Sequence, residues 1–481
     1  MSVAVVEDAE VVGSGWAEHE FGGADLGDLR LTRRLVAIAG RFMEKPLASI
    51  PQSMAAWAEA KGAYRFMDNE KVEPDAILEP HRLRTTERAA EHPVVLAVGD
   101  TTTLDYTAHP KTTGLGPLSD LQHQGLHVHP TLVVTPQHVP LGLIDNLVWT
   151  RDEETFAKTT DQDRERTPID DKESRKWICS VGAAEQLQRD LREAGSDTRV
   201  ISVFDREGDI YEVLAAVDAP DTTCDLLIRA KNDRRVDHDL RRLWLTMETR
   251  PRAGTVLLHL PRTPKRWAAR DAEITVRFAS LTLLPPGNKK GLGPIDVRVV
   301  YACEERPPKG VKPVSWMLVT TADVETFEDA CTVLSWYEAR WVIELLNRVL
   351  KSGCKSEDRG LETADRLKRC LAVDLVVAWR VLYLTTVGRD TPDTPCTVIF
   401  EDDEWQSLYA YVHKSTAAIP KETPTLREVT RLIGHLGGHL GRKGDGEPGQ
   451  TTMWRGLTRL TDISAGWKIG RARKAEPDAS P

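Results

Sequence analysis

The 481-residue chain has no paired-cysteine motif, no excess of basic charge, no apolar run free of charges and no internal repeat. Its seven cysteines (Cys179, Cys224, Cys303, Cys331, Cys354, Cys370 and Cys396) are scattered, without a C-x-x-C pair. That pattern excludes a disulfide framework or a zinc ribbon and reads as reduced intracellular thiols. Lys and Arg number 64 against 73 Asp and Glu, a formal net charge of −9. A uniformly basic nucleic-acid coat is thereby excluded, although basic residues can still cluster locally. The longest apolar stretch, Leu367 to Val387, contains Lys368, Arg369, Asp374 and Arg380, so it is expected to be a buried helix and not a membrane span. The first residues, Met1 to Asp8, carry no basic n-region and no cleavage site. The expectation is a cytoplasmic protein with no membrane partner.

What is present is a soluble globular composition, 41% hydrophobic and 28% charged, in a chain long enough for two or three domains. Residues 16–92 read as a helical unit. Leu31, Leu35, Ile38 and Phe42 recur at helical spacing, with Arg30, Arg34 and Arg41 on another face, and a second segment carries Lys61 and Arg65. From Pro93 the pattern turns to strands. Val94–Val98 ends at Asp100, a hairpin is expected over 127–149, helix over 172–194, and Arg199–Phe204 ends at Asp205 before a further strand, 225–231. Strands alternating with helices predict an α/β domain with a mixed sheet. Short β-type runs over 232–320, split by Pro- and Gly-rich turns, predict an antiparallel insertion. Helices then resume to about Thr386. Asp390–Asp403 reads as a linker, 404–466 as a second helical unit, and 468–481 as a disordered tail.

The most informative stretch is Tyr337-Glu-Ala-Arg340-Trp-Val-Ile-Glu344, with Lys351 beyond it. At about 100° per residue, Tyr337, Arg340, Glu344 and Lys351 fall within roughly 60° of one another on one helix. Val342, Leu345, Leu346, Val349 and Leu350 take the opposite side. A carboxylate bracketed by phosphate-binding groups suits metal-assisted chemistry on a phosphodiester. Taken alone, the four are equally a solvated face with i,i+4 ion pairs. Asp100 and Asp205 each follow a hydrophobic strand, where an open α/β sheet forms a ligand crevice. With a helical glutamate they make an oxygen-only cage for Mg²⁺ or Mn²⁺. Each Asp alone is also a common helix cap or turn residue.

The combination resembles bacterial cut-and-paste DDE transposases of the insertion-sequence class with the Y-(2)-R-(3)-E-(6)-K signature. Tyr337, Arg340, Glu344 and Lys351 match it at every spacing. Further blocks are similar: Val98-Gly-Asp100-Thr-Thr-Thr, Phe204-Asp205-Arg-Glu-Gly-Asp209, Gly62-Ala-Tyr-Arg-Phe66, Lys172-Glu-Ser-Arg-Lys-Trp177, Pro307-Pro-Lys-Gly310, Leu436-Gly-Gly438 and Trp454-Arg-Gly-Leu457. The apolar Leu345-Leu-Asn-Arg-Val-Leu350 departs from the acidic, aromatic and basic residues common there.

The resemblance implies an α/β fold: an RNase H-like catalytic core (93–388) with a β-strand insertion, flanked by N-terminal and C-terminal helical domains. Residues 1–92 would bind transposon ends, and 389–481 would dimerise. Asp100, Asp205 and Glu344 would hold two Mg²⁺ or Mn²⁺ ions. Arg340 and Lys351 would grip phosphates with Tyr337 beside them, Arg229 and Lys231 would contact DNA, and Trp316 would stack on a base flipped during hairpin formation. The implied partners are double-stranded DNA and a second copy of the chain, at the nucleoid. Two alternatives remain open at this point: an end-binding protein that has lost catalysis, and an RNase H-like nuclease without strand transfer.

Overall fold

The computed structural model describes residues 15–158, 167–219, 222–260, 269–289, 291–390, 392–442 and 446–475. Eleven strands join in one sheet. These are β1 (Val94–Gly99), β2 (Thr102–Asp105), β3 (Gly116–Pro117), β4 (Gln124–Val134), β5 (Pro140–Trp149), β6 (Arg199–Phe204), β7 (Asp225–Arg229), β8 (Gly254–Leu260), β9 (Arg270–Leu283), β10 (Ile295–Cys303) and β11 (Ser315–Thr320). The order β5–β4–β1–β6–β7 forms its centre, antiparallel as far as β1 and parallel from β1 to β7.

The expected insertion is part of this sheet and not a separate layer. β11 pairs antiparallel with β7, and β10, β9 and β8 follow outward. An apolar strand such as Leu226–Ile228 can pair on both edges, so hydrophobicity alone could not say where the sheet ended.

Alternation along β1 separates two cores, because successive strand residues face opposite ways. Leu96 and Val98 join the core shared with the helical units. Val95 and Ala97 join the core under the Arg175–Glu193 helix, where Trp177 and Phe204 also pack.

The apolar run is the Ala364–Asp390 helix, whose buried residues belong to the core shared with the helical units. It alone among the described residues is long and apolar enough to cross a membrane, yet 83% of that stretch is buried in protein. Its charges have partners. Asp374 binds Arg359 at 2.7 Å, both nearly fully buried, and Arg369 donates to the Val72 and Met67 carbonyls. Arg366 pairs with Asp68. These contacts fasten the N-terminal helices to the sheet domain.

In the N-terminal unit, the Leu29–Glu44 helix starts where Asp28 accepts from the Arg30 N–H at 2.9 Å, and it buries Leu35, Ile38 and Phe42. The C-terminal unit holds helices Asp402–Val412, Leu426–Leu436 and Gln450–Ala475. Two expectations change here. The 390–403 connection packs Cys396 and Phe400 into the core. The supposed tail is helical as far as Ala475, since Lys468 and Arg471 pair with Glu401 and Asp403 at the start of the Asp402–Val412 helix. Only its last residues, 476–481, lie outside the described residues.

Candidate active site

The parallel register assembles the first part of the site. β1 and β6 pair from Val94↔Arg199 to Val98↔Val203, an offset of 105. Asp100 and Asp205 differ by the same 105, so they leave neighbouring strand ends side by side, on strands about 4.8 Å apart. β6 and β7 pair as Phe204↔Ile228, an offset of 24, which sets Arg229 next to Asp205. Asp205 also caps the short turn that follows, its Oδ1 accepting from the Glu207 N–H at 2.7 Å.

The signature residues complete the site from above the strand ends, but not from one uniform helix. A helix over Phe327–Ala339 meets a second over Trp341–Arg348 at Arg340, and the chain then winds into a π turn, Val349–Gly353. Wider winding shifts the angular spacing of whatever follows Glu344. Arg340 and Glu344 stay over the strand ends, whereas Lys351 lies within charge reach of Asp105 at the end of β2.

Arg340 is the link between the acids. Its guanidinium binds Glu344 Oε1 at 2.5 Å and stands 4.0 Å from Asp100 Oδ2. Burial pushes the Asp100 carboxyl up to about 6; Arg340 opposes this, while the charges of Asp205 and Glu344 add to it. Asp100 therefore feels the charge of the other two carboxylates. The chemistry of all three, oxygen donors of like charge, fits a hard divalent cation. As they stand, among the described residues no group of three His, Cys, Asp or Glu side chains is arranged to hold an ion. Arg340 supplies the positive charge between Asp100 and Glu344.

Around this centre, Trp316 is half-buried and meets Tyr337 edge-on at 5.5 Å. Tyr337 is itself buried, beside the Arg229 guanidinium and beneath that of Arg340. It braces the cations and seats the tryptophan. Arg229 donates to the Ser315 carbonyl at 2.8 Å, and Lys231 is exposed at the same end of the sheet.

Arg30, Arg34, Lys61 and Arg65 lie apart, all exposed on the N-terminal helices. Arg30 is tied to Asp28. Arg34 lies over Gly62, where a Cβ would fall within 1.6 Å of its guanidinium.

Two residues near Asp100 have no role legible in the sequence. Lys176 holds its ammonium over Trp149 and Trp177, 3.8 Å from Glu207 and within charge reach of Asp100. Its block, Lys172–Trp177, is a visible signal without a visible role. His129, fully buried in β4, reaches the same place through Thr101. An isolated histidine in an apolar strand gives no such signal.

Residues 13–72 match the transposase DNA-binding family, and residues 376–476 match the transposase Tn5 dimerisation domain. These matches lie at the two ends of the chain, and neither spans Asp100, Asp205 or Glu344. The cryo-EM structure of a piggyBac transposase synaptic complex with hairpin DNA aligns at TM-score 0.31 and 7% identity, over 80% of this chain and 55% of that one. The chain thus spans about half the length of that structure, a likeness too loose to define the fold.

Proposed function

We propose that the chain is a metal-dependent DNA transposase that excises the ends of its element and joins them to target DNA, with Asp100, Asp205 and Glu344 as catalytic carboxylates. One observation carries this reading: the β1–β6 register, continued past the strand ends, brings Asp100 beside Asp205, and Arg340 ties Asp100 to Glu344. The central strand order supports the RNase H-like core that the resemblance implies.

The three carboxylates would hold Mg²⁺ or Mn²⁺, which in paired sites activates the attacking oxygen and stabilises the leaving oxygen of a phosphodiester. The chain's own cations do the rest. Arg340 and Arg229, held by Tyr337, face the scissile phosphate, with Lys231 beyond the end of β7 on one flank and Lys351 toward Asp105 on the other. Arg binds phosphate through two parallel N–H donors, which fixes orientation as well as charge. Trp316 offers a ring on which an extruded base can stack, offsetting the cost of unstacking it. The order of steps is a 3′ nick, attack of the freed hydroxyl on the opposite strand to give a hairpin, reopening, and joining to target. Each step is a phosphoryl transfer, so one site serves all of them. The N-terminal cations hold the end, and the C-terminal unit pairs two copies.

The test is incubation with Mg²⁺ or Mn²⁺ and the inverted repeats flanking the gene. Wild type is expected to make double-strand breaks at the repeat boundary and then joined products, and chelation stops both. Glu344→Ala or Asp100→Ala abolishes cleavage and leaves end binding largely intact. Metal-dependent nicking that survives either substitution overturns the assignment. Free ends without joining point to a nuclease, and binding without breaks to an inactive end-binding protein.

A further inference from the structure

Asp100 stands in a gap in the sheet. β1 ends at Gly99 and β2 begins at Thr102, yet both pair with β4 in one register, Gly99↔Thr131 and Thr102↔Val128. Asp100 and Thr101 therefore stay opposite Pro130 and His129, outside the ladder. Pro130 has no N–H to give.

A side-chain chain fills the gap. The Thr101 N–H donates to Asp100 Oδ1 at 2.9 Å. The Thr101 hydroxyl is 2.8 Å from His129 Nδ1, His129 Nε2 is 3.0 Å from Ser180 Oγ, and Ser180 Oγ is 2.7 Å from Thr131 Oγ1. The imidazole is fully buried, with Trp177 edge-on at 4.7 Å. Burial pushes it down to about 3, so it is neutral, and either tautomer satisfies both hydroxyl neighbours. Gly99 leaves the room: a Cβ there would stand 3.2 Å from Ser180 Oγ and 3.3 Å from His129 Nε2.

From this juxtaposition we infer that His129 is a positioning residue for Asp100, acting through the Thr101 hydroxyl and held in turn by Ser180 and Thr131. The inference rests on the transposase reading, in which Asp100 is catalytic. With the ladder lapsed at Asp100, the hydroxyl–imidazole contact fixes the peptide whose N–H anchors the carboxylate. Removing a partner of this kind ordinarily costs about 10–100-fold in metal affinity or activity.

The experiment uses the full chain, a labelled duplex carrying the flanking inverted repeat, and Mn²⁺. Thr101→Val keeps the shape and removes the hydroxyl. It is expected to slow single-turnover cleavage about tenfold or more at unchanged end affinity. Thr101→Ser restores a hydroxyl and is expected to recover most of that rate. His129→Leu and His129→Asn form a second pair, the amide able to replace one ring nitrogen. Amide hydrogen exchange in the metal-free protein gives an independent readout, faster over residues 99–102 in T101V than in wild type or T101S. T101V that cleaves at the wild-type rate, or loses rate only in step with end affinity, overturns the inference. Wild type that fails to cut in the same assay sinks the transposase reading, and the inference with it.

Discussion

Asp100 and Asp205 each lie one residue beyond the end of a buried strand, and the parallel pairing of β1 with β6 joins them at the same 105-residue offset as the ladder below. The sequence marks both strand ends but not the register that aligns them. The pairing follows because two apolar strands, buried on both faces, align where their cores match. The consequence is electrostatic: burial raises the Asp100 carboxyl, and the charges of Asp205 and Glu344 raise it further against the pull of Arg340.

That shift predicts a pH dependence of stability. An acid raised from 3.8 to about 6 keeps its proton in the folded state over a range where the unfolded chain has lost it. Its contribution to stability is present below about pH 4 and is lost as pH rises through about 6. Asp100→Asn has no charge to bury. In metal-free denaturant titrations it should gain on wild type between pH 4 and 7, by up to about 3 kcal/mol, and then level off. A difference that stays constant with pH would show that neither burial nor the neighbouring acids raise the Asp100 carboxyl in the folded protein.

Arg340 reaches Asp100 and Glu344 together because a guanidinium is a planar fork, which an ammonium is not. Arg340→Lys should therefore lower the cleavage rate by about 10- to 100-fold, or on the order of 1.4–2.7 kcal/mol in the barrier. End binding should change far less, since most of its contacts lie elsewhere. The measurement is single-turnover cleavage beside a gel-shift titration on the same duplex. Equal losses in both would make Arg340 a general DNA contact.

Much of this is legible in the sequence. The strands ending at Asp100 and Asp205, the paired Tyr337 and Arg340, and the buried nature of 367–387 follow from runs, spacing and embedded charges. The rest depends on winding and register. A uniform helix would keep Lys351 on the face of Glu344; the chain instead widens into a π turn over Val349–Gly353, with Lys351 within charge reach of Asp105. Tyr337 looks like an exposed phenol on a polar face, yet Trp316 and the adjoining sheet strand bury it. The hydrophobic pattern of 225–320 marks strands without saying that they extend the central sheet. Lys468 and Arg471 look like tail residues because their acidic partners lie more than sixty positions away.

The N-terminal patch should carry a measurable share of DNA affinity. Arg34, Lys61 and Arg65 are exposed, and among the described residues none has a carboxylate partner within ion-pair distance. Each replacement by Ala should weaken binding to end and unrelated duplexes alike. It should also lower the slope of log K against log salt by about 0.9 for each phosphate no longer neutralised. Slopes measured between about 50 and 200 mM salt decide the matter. An unchanged slope would remove that residue from the interface.

Two of the sequence blocks meet in the C-terminal unit. Where Leu426–Leu436 ends against Gln450–Ala475, a Cβ at Gly437 would lie 1.8 Å from the Thr452 carbonyl oxygen, and one at Gly456 would lie 1.9 Å from that of Ile433. The backbones touch, so both positions exclude a side chain. Alanine inside a helix ordinarily gains about 1 kcal/mol over glycine. At this crossing the clash should win, and Gly456→Ala should cost a net of about 1–3 kcal/mol, as overpacked sites do. Thermal unfolding gives the stability, and light scattering with end DNA gives the pairing of two copies. The expected result is a lower melting temperature together with loss of the paired complex, while single-end binding through the N-terminal helices persists. A stabilised G456A would mean that the two helices do not cross this closely in solution.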